Sequence, residues 1–254
     1  MIKKLISALH AASPASHKGQ NGKLMVVAGS AQYHGAAMLV VLAARRFVDL
    51  VYFYPAEEDE PLIHTVKTIP DVILDYNLSR IQEMDAVLFG NGVDDVQVPL
   101  DTIVRKSRKL VIDGDGLKQI QGKIPSGALL TPHESEFHRL FGMEGNKANV
   151  QKMAKKHSCV ILKKDPQGDI ITDGTKLAIN TLHNPGMTKG GTGDVLAGLT
   201  AALACTNDLF TSAACAAYIN GYAAEILRKR LGYSFCASDL AEQLGEAYFR
   251  LRKK

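Results

Sequence analysis

Short apolar runs alternate with helix-patterned stretches along the first two thirds of the sequence. Several of these runs are continuous rather than alternating, as expected of strands that are covered on both faces. This order favours an α/β fold with a mostly parallel sheet flanked by helices. The predicted strands are Leu24–Ala28, Leu50–Tyr54, Ala86–Phe89, Leu110–Asp113, Val160–Lys163 and Asp169–Thr172. The predicted helices are Gly35–Phe47, Glu134–Phe141 and Asn146–His157.

The last third of the chain has a different pattern, which is helical throughout. Its Ala-rich segments predict helices over Asp194–Ala204, Thr211–Leu231 and Ala237–Arg250. No linker, repeat or low-complexity tract interrupts the 254 residues, and a chain of this length can bury a sizeable core. The sequence therefore predicts a single domain over residues 1–254.

The composition is that of an ordinary globular protein, with 46% hydrophobic and 22% charged residues. The formal net charge of +4 is too small to indicate a nucleic-acid partner. The two basic runs, at 228–230 and 250–254, lie in helical stretches and are typical of solvated helix ends. A small anionic ligand fits this charge as well as any other partner.

Cysteine usage and the N-terminal segment both predict a cytoplasmic location. No CxxC pair is present, and cysteines in apolar stretches are typical of reduced core residues. Lys3 and Lys4 are not followed by an apolar run long enough for a signal peptide. The longest apolar run, Ala36–Ala44, is too short to span a membrane. The four cysteines are Cys159, Cys205, Cys215 and Cys236.

The strongest chemical signal is a glycine-rich segment, Asn184-Pro-Gly-Met-Thr-Lys-Gly-Gly-Thr-Gly-Asp194. Its glycines let the backbone approach a ligand, and the helix that follows offers unpaired N–H groups and a positive dipole end. A base or a metal role would explain an ionised Asp194 beside such a phosphate site. The alternative is a plain loop with Asp194 as a helix cap. The Asn-Pro-Gly lead and the apolar helix face favour the functional interpretation; the segment is neither GxGxxG nor a Walker loop.

This segment resembles the Gly-Thr-Gly-Asp loop of the ribokinase-like superfamily. It is most similar to the loop of the NAD(P)H-hydrate dehydratase family, in which Val-Leu-Ala-Gly follows as it does here. The resemblance extends over nearly the whole chain and implies a ribokinase-like fold with a mostly parallel central sheet and a helical C-terminal third. The other similar stretches are His17–Ser30, Tyr33–Ala36, Gly90–Gly92, Val111–Leu117, Leu130–Leu140 and Val160–Gly174.

The resemblance also implies site residues. It makes Asp194 the catalytic residue, and a site for the hydrated nicotinamide is implied at Ala36, Gly90, Gly92, His133 and Asp194. Adenine-nucleotide contacts are implied at Lys163, Lys164, Asp165, Pro166, Gln167 and Gly193, and an anion hole at Gly191, Thr192 and Gly193. No side chain is predicted as a metal ligand.

The chain departs from the family pattern at two places. The family's longer Gly-Pro-Gly-Leu-Gly turn is replaced, because Val93 and Asp94 follow Gly92. The family usually has Lys-Gly after the strand, whereas Lys163 is followed here by Lys164. We expect a stand-alone dehydratase domain, since 254 residues leave no room for the additional epimerase domain of bifunctional members.

His133 and the pair Asp113 and Asp115 each have a structural alternative. A zincin motif would need a second histidine at position 137, which is Phe137. A lone histidine at a strand end is often a cap or a core residue, and the family match favours a substrate contact for His133. The two aspartates follow a strand, where α/β enzymes place ligands, or they belong to a glycine turn.

The reaction implied by the resemblance is the ADP- or ATP-dependent dehydration of hydrated NADH or NADPH through a phosphorylated intermediate. Asp194 would be the base, and Mg²⁺ would bridge the phosphates. The main alternative is a ribokinase-like kinase that acts on a small alcohol such as hydroxyethylthiazole or hydroxymethylpyrimidine. A non-catalytic nucleotide-binding protein is a third possibility, which an intact Asp194 disfavours. The resemblance also implies a homo-oligomer, with no nucleic-acid or membrane partner.

Overall fold

Nine strands form one sheet in this computed structural model, which describes residues 2–253. Met1 and Lys254, the ends of the predicted domain, lie outside the described residues. The strands are β1 (Lys23–Ala28), β2 (Leu50–Pro55), β3 (Val72–Leu74), β4 (Ala86–Phe89), β5 (Leu110–Ile112), β6 (Leu129–Leu130), β7 (Val160–Lys163), β8 (Asp169–Thr172) and β9 (Leu177–Asn180). Their order is β3-β2-β1-β4-β5-β6-β7-β8-β9; the first seven strands are parallel to their neighbours and the last two pair antiparallel.

Helices cover both faces of the sheet. The helices are α1 (Ile2–Ala8), α2 (His34–Ala44), α3 (Glu60–Lys67), α4 (Leu100–Lys106), α5 (Asp115–Gln119), α6 (Glu134–Phe141), α7 (Lys147–His157), α8 (Thr192–Thr206), α9 (Leu209–Leu231) and α10 (Ala237–Arg252). Short 3₁₀ turns occur at Ile81–Glu83 and Pro185–Thr188. Helices α1 to α3 and α8 to α10 pack in one hydrophobic cluster, and α4 to α7 pack in the other.

The double covering explains why the strands are continuously apolar. In β1, Leu24 and Val26 belong to the first cluster, and Met25 and Val27 belong to the second. Successive side chains of a strand point to opposite faces, and all four are fully buried. The prediction of strands buried on both faces is therefore confirmed.

All six predicted strands are present, and the one predicted at Leu110–Asp113 ends at Ile112. Three strands were missed: β3 is a short edge strand with Ile73 38% exposed, β6 has two residues, and β9 is the opposite edge. Each has an apolar run of only two or three residues, which periodicity alone does not distinguish from other structure. The helix predicted from Asp194 begins at Thr192. The α/β fold with a helical last third is confirmed.

The sheet has a point where the winding direction reverses. Strand β1 lies between β2 and β4, so the chain first builds β2 and β3 to one side and then builds β4 to β7 to the other. In open α/β sheets, ligands bind in the crevice outside the carboxyl ends of the strands at such a point. The turns that follow β1 and β4 are therefore the expected place for a site.

The cysteines and the apolarity of the helices bear on two predictions made from composition. Cys159, Cys205 and Cys215 are buried free thiols, as predicted for cysteines in apolar stretches, and Cys236 is exposed. Within residues 2–253, no helix has both the length and the apolarity that crossing a membrane requires.

Candidate active site

Most of the predicted site residues converge at the carboxyl ends of the central strands and at the amino end of α8. Gly90 directly follows β4, Lys164 directly follows β7, and Asp194 lies in the first turn of α8. They come together because parallel strands end at the same edge of the sheet.

Helix α8 begins with backbone amides that have no partner. Gly191 precedes the helix with φ of +89°, and a Cβ there would stand 2.3 Å from Leu39 Cδ1, so the position requires glycine. The N–H of Thr192 lies 3.4 Å from the carbonyl oxygen three residues earlier. The N–H groups of Gly193 and Asp194 find no acceptor within residues 2–253. Unpaired amides at a helix start can hold an anion.

Asp194 contacts a polar side chain that is remote in the sequence. Asn91 Nδ2 donates to Asp194 Oδ1 at 2.7 Å and to Asp113 Oδ2 at 2.8 Å. Burial, together with the nearby charge of Asp113, raises the pKa of Asp194 to about 6. A carboxyl group that ionises near neutrality is well suited to accept a proton at pH 7.

Asp113 is buried, with 3% of its surface exposed, and three side chains donate hydrogen bonds to its carboxylate. Thr131 Oγ1 donates to Asp113 Oδ1 at 2.7 Å, and Lys164 Nζ donates to the same oxygen at 2.8 Å. With the Asn91 amide on Oδ2, both oxygens of Asp113 accept hydrogen bonds. Three donors hold this carboxylate in one orientation.

Lys164 places a positive charge beside the Asp113 carboxylate and near the start of α8. Burial by itself would lower the pKa of Lys164, but the carboxylates of Asp113 and Glu136 outweigh it and raise the pKa, so the ammonium stays charged. Lys164 Nζ also lies 3.6 Å from the place that a Cβ on Gly193 would occupy. A phosphate at the start of α8 would therefore meet this ammonium group.

His133 is the N-cap of helix α6, so the capping role given above as the alternative to a substrate contact is present. Its Nδ1 accepts from the N–H of Glu136 at 3.3 Å, and the Glu136 carboxylate accepts from the N–H of His133 at 2.8 Å. Since Nδ1 accepts, Nε2 carries the proton, and it lies 3.4 Å from Glu136 Oε1. Burial lowers the pKa of His133, and Lys164 lowers it further. The imidazole is 53% exposed, so it remains accessible to a ligand.

The turn after β4 brings three of the predicted small residues together. Gly90 has φ of +119°, and a Cβ there would stand 2.2 Å from the carbonyl oxygen of Asp113. Gly92 has φ of +64°, and a Cβ there would stand 3.0 Å from Cβ of Ala36. Both positions require glycine because the backbone is left-handed and closely packed. The turn thus lies against both α2 and the strand-end aspartate.

A cavity of about 190 Å³ adjoins the start of α8. Six of the predicted site residues line it: His133, Lys164, Asp165, Pro166, Thr192 and Gly193. The sequence did not single out the other lining residues, which are Asp169, His183, Met187, Thr188, Leu196 and Asn220. Larger depressions of about 440 Å³ and 620 Å³ lie elsewhere and contain none of the predicted residues.

Lys163 and Gln167 do not line this cavity. Lys163 is buried, with 2% of its side chain exposed, and its ammonium pairs with Glu134 at 2.6 Å and with Asp165. Gln167 is exposed, and its backbone N–H donates to Asp165 at 2.8 Å. Lys163 thus links α6 to the loop after β7, and a nucleotide contact by either side chain remains a prediction.

Residues missed by the sequence analysis complete the site. Asn91 and Thr131 hold Asp113, yet each lies in a stretch that was considered only for its resemblance. The signal for Asn91 was a polar amide between two glycines in a turn that ends a strand. No signal pointed to Asn220, which lies in α9 and lines the cavity.

A family model for NAD(P)H-hydrate dehydratase matches residues 24–246 of this chain. The chain belongs to the NAD(P)H-hydrate dehydratase family. The matched segment runs from β1 to α10 and includes every residue discussed at the site. The resemblance that the glycine-rich loop indicated is confirmed.

Relatives in the family share both sequence and fold with this chain. An ADP-dependent (S)-NAD(P)H-hydrate dehydratase from Cenarchaeum symbiosum is 36% identical over 90% of this chain and 89% of the relative. A bifunctional NAD(P)H-hydrate repair enzyme from Methanocaldococcus jannaschii is 36% identical over 94% of this chain and 50% of its own length. The chain spans about half the length of the first four curated relatives that it matches.

The fold is also that of a solved member of the dehydratase family. An ADP/ATP-dependent NAD(P)H-hydrate dehydratase from Bacillus subtilis, co-crystallised with ATP and Mg²⁺, has a TM-score of 0.86 and 24% identity. The match covers 98% of this chain and 97% of that one. The ribokinase-like architecture predicted for this NAD(P)H-hydrate dehydratase family member is confirmed.

Proposed function

We propose that this chain catalyses the ADP- or ATP-dependent dehydration of hydrated NADH or NADPH, with Asp194 as the catalytic base. The observation that carries the proposal is the grouping at the start of α8. There, a carboxyl group with a pKa of about 6 adjoins two unpaired amides and the Lys164 ammonium. A base next to an anion site suits the transfer of a phosphoryl group to a hydroxyl.

The proposed reaction begins at the hydroxyl on C6 of the hydrated nicotinamide ring. Asp194 takes the hydroxyl proton as the oxygen attacks the terminal phosphorus of the nucleotide, and the bond from that phosphorus to the leaving phosphate oxygen breaks. The ring nitrogen then expels the new phosphate ester as inorganic phosphate. Loss of a proton from the neighbouring ring carbon restores the double bond. The amides of Gly193 and Asp194 and the ammonium of Lys164 offset the charge on the transferring phosphoryl group.

Magnesium enters this proposal as part of the co-substrate. Mg²⁺ keeps several waters and binds phosphates with one or two carboxylates rather than in an all-protein cage. No group of three or more His, Cys, Asp or Glu side chains placed to hold a metal occurs within residues 2–253. The Bacillus subtilis relative was co-crystallised with ATP and Mg²⁺, which supports a magnesium nucleotide. Bound there, the ion would neutralise phosphate charge.

A single assay tests this function against its alternatives. The protein is mixed with hydrated NADH, magnesium and either ADP or ATP, and the absorbance band of NADH is followed. Recovery of NADH that requires the nucleotide supports dehydration. Nucleotide turnover only with a small alcohol such as hydroxyethylthiazole would establish a kinase, and no turnover with either would establish a binding protein.

The remaining expectations extend this proposal. We place the protein in the cytoplasm because its four cysteines are free thiols, three of them buried. We propose a homo-oligomer because the resemblance to the family implies one. The single dehydratase domain over residues 1–254 likewise remains a proposal, as do all of the site assignments.

Replacing His133 should separate its helix-capping role from substrate contact. Both His133→Ala and His133→Asn should weaken binding of hydrated NADH by about five- to tenfold, because a hydrogen bond to the ligand is lost. ADP binding should change less. Only His133→Ala should lower the melting temperature, since asparagine is a good N-cap and alanine costs about 1 kcal/mol. Calorimetric titration with each ligand checks this, and wild-type hydrate binding by His133→Asn would leave His133 as a cap alone.

Gly193→Val should weaken ADP binding by about tenfold or more, because roughly one charge-assisted hydrogen bond to phosphate is lost. A Cβ at this position has only Lys164 Nζ near it, at 3.6 Å, so the fold can accept the side chain. The valine methyls, however, would cover the helix-start amides that are to hold phosphate. Gly245→Val in α10 is the matched control, since a Cβ there has only Arg46 Cδ nearby, at 4.0 Å. Equal ADP affinity in the two variants, measured by calorimetry, would show that α8 does not bind the phosphates.

A further inference from the structure

Asn91 joins the two central carboxylates of the site by its side-chain amide. It is 1% exposed, and its Nδ2 lies 2.8 Å from Asp113 Oδ2 and 2.7 Å from Asp194 Oδ1. Asp113 directly follows β5 and Asp194 lies in α8, so the amide joins distant parts of the chain. The amide is therefore the one direct hydrogen-bonded link between these two carboxylates among residues 2–253.

The orientation of this amide follows from its partners. Both neighbouring atoms are carboxylate oxygens, which accept hydrogen bonds when ionised, so the NH₂ group must face them. The opposite orientation would set the Asn91 carbonyl oxygen against two anionic oxygens. The carbonyl oxygen Oδ1 consequently points away, where it is buried without a hydrogen-bond partner.

That unsatisfied oxygen makes a purely stabilising role a poor explanation. A buried acceptor without a partner destabilises the folded state, and an apolar side chain of the same shape would avoid this cost. The turn also resembles the family's Gly-Pro-Gly turn, in which the central proline has no side-chain amide to donate. Asn91 is thus better explained by the carboxylates of Asp113 and Asp194, to which its two side-chain N–H groups donate.

We propose that Asn91 is a positioning residue that orients the Asp194 carboxylate, so that Oδ1 is held and Oδ2 is free to take the substrate proton. This inference rests on the proposed function, in which Asp194 is the base. No donor to Asp194 Oδ2 occurs within residues 2–253, so the second oxygen remains available. Fixing one oxygen also prevents the carboxylate from rotating away from the reacting hydroxyl.

The charges around Asp194 determine the direction of a pH effect. Burial opposes its ionisation most strongly and Asp113 and Asp115 add to this, whereas the Asn91 hydrogen bond and Lys164 favour ionisation. Removing the amide would leave the two acidic neighbours opposed by Lys164 alone. The carboxylate would then be harder to ionise, and the base form would require a higher pH.

Asn91→Leu tests the proposal, since leucine approximates the shape and has no donor. The acidic limb of the kcat/KM profile should move upward by about one pH unit, as expected for a lost hydrogen bond to a charged group. Above that limb, kcat should still be about tenfold lower, because the base is no longer oriented. The Kd for ADP, measured by calorimetry, should stay within about twofold of wild type if the phosphate site is intact. An unchanged limb and an unchanged kcat would overturn the proposal.

Thr200→Val, in α8, is the matched control. It also removes one buried hydrogen bond, from Thr200 Oγ1 to the carbonyl oxygen of Leu196 at 2.7 Å, and that hydroxyl donates to neither Asp194 nor Asp113. We expect the acidic limb of its kcat/KM profile to remain at the wild-type position. A shift equal to that of Asn91→Leu would show that loss of any buried hydrogen bond moves the limb, and it would overturn the proposal.

A measurement on the wild type covers the case in which Asn91→Leu does not fold. The two Asn91 side-chain N–H resonances should shift together as Asp194 ionises, with a midpoint near pH 6. Resonances that do not titrate in this range would overturn the proposal. An inactive wild type with titrating resonances would instead refute the proposed function and leave the geometry standing.

Discussion

Replacing Asp194 with asparagine is expected to lower turnover by roughly 10²–10⁴, the usual contribution of a positioned base. Asparagine keeps the shape of the side chain but cannot take the hydroxyl proton. Nucleotide binding should survive or tighten, because a negative charge beside the phosphates is removed. Turnover is measured by recovery of the NADH absorbance, and nucleotide binding by calorimetry.

The control for this variant lies in α10, where Asp239 occupies the same third position of its helix. Asp239→Asn changes the same functional group near a helix start, and Asp239 does not line the cavity. We expect wild-type turnover from it, whereas a helix-capping role for Asp194 would make both variants active and slightly less stable. Activity of Asp194→Asn within a few-fold of wild type would therefore contradict the proposed mechanism.

The pH dependence of the wild type should agree with the same assignment. A base acts in its deprotonated form, and burial and Asp113 raise the pKa of Asp194 to about 6. The value of kcat/KM should then fall as the pH drops through about 6 and should level off above it. In Asp194→Asn this limb should be missing from the residual activity.

The central sheet was predictable because its physical signal is local. Strands such as β1 and β4 are buried on both faces, and each residue must be apolar regardless of which face it meets. The edge strand β3 and the two-residue β6 depend on their neighbours rather than on their own sequences. The start of α8 was misplaced by two residues because the left-handed Gly191 determines where the helix begins.

The site was predictable where a motif carries the chemistry in its own backbone. The glycine-rich loop predicts an anion site from sequence because glycine and a helix start are both local features. The contact from Asn91 to Asp194 spans 103 residues, and the contact from Lys164 to Asp113 spans 51. No local pattern records such pairs, since it is the sheet order that brings the strand ends together. For Lys163 the resemblance implies a nucleotide contact, whereas its side chain lies buried and pairs with the carboxylates of Glu134 and Asp165.

Lys164→Met is expected to weaken ADP binding by about 10- to 100-fold, as for loss of a charge-assisted hydrogen bond to phosphate. Methionine preserves the apolar stem and removes the ammonium that pairs with Asp113. Because Lys164 favours the ionised form of Asp194, its loss should also raise the pKa of that base. The acidic limb of kcat/KM should then move to higher pH, so that turnover near neutrality falls more than turnover at pH 8. Calorimetry with ADP and a pH series of initial rates measure the two effects separately.

Lys163→Met is the matched control, because the same change is made one residue earlier. Neighbouring residues at the end of a strand point to opposite sides, and the Lys163 ammonium pairs with Glu134 and Asp165 rather than lining the cavity. Its loss should lower the melting temperature, since the link from α6 to the loop after β7 is broken, and should leave the pH profile in place. Asp165 lines the cavity, so a small change in ADP affinity is compatible with this role. If Lys163→Met weakened ADP binding as strongly as Lys164→Met, the phosphate would not lie where the amides of α8 and the Lys164 ammonium meet.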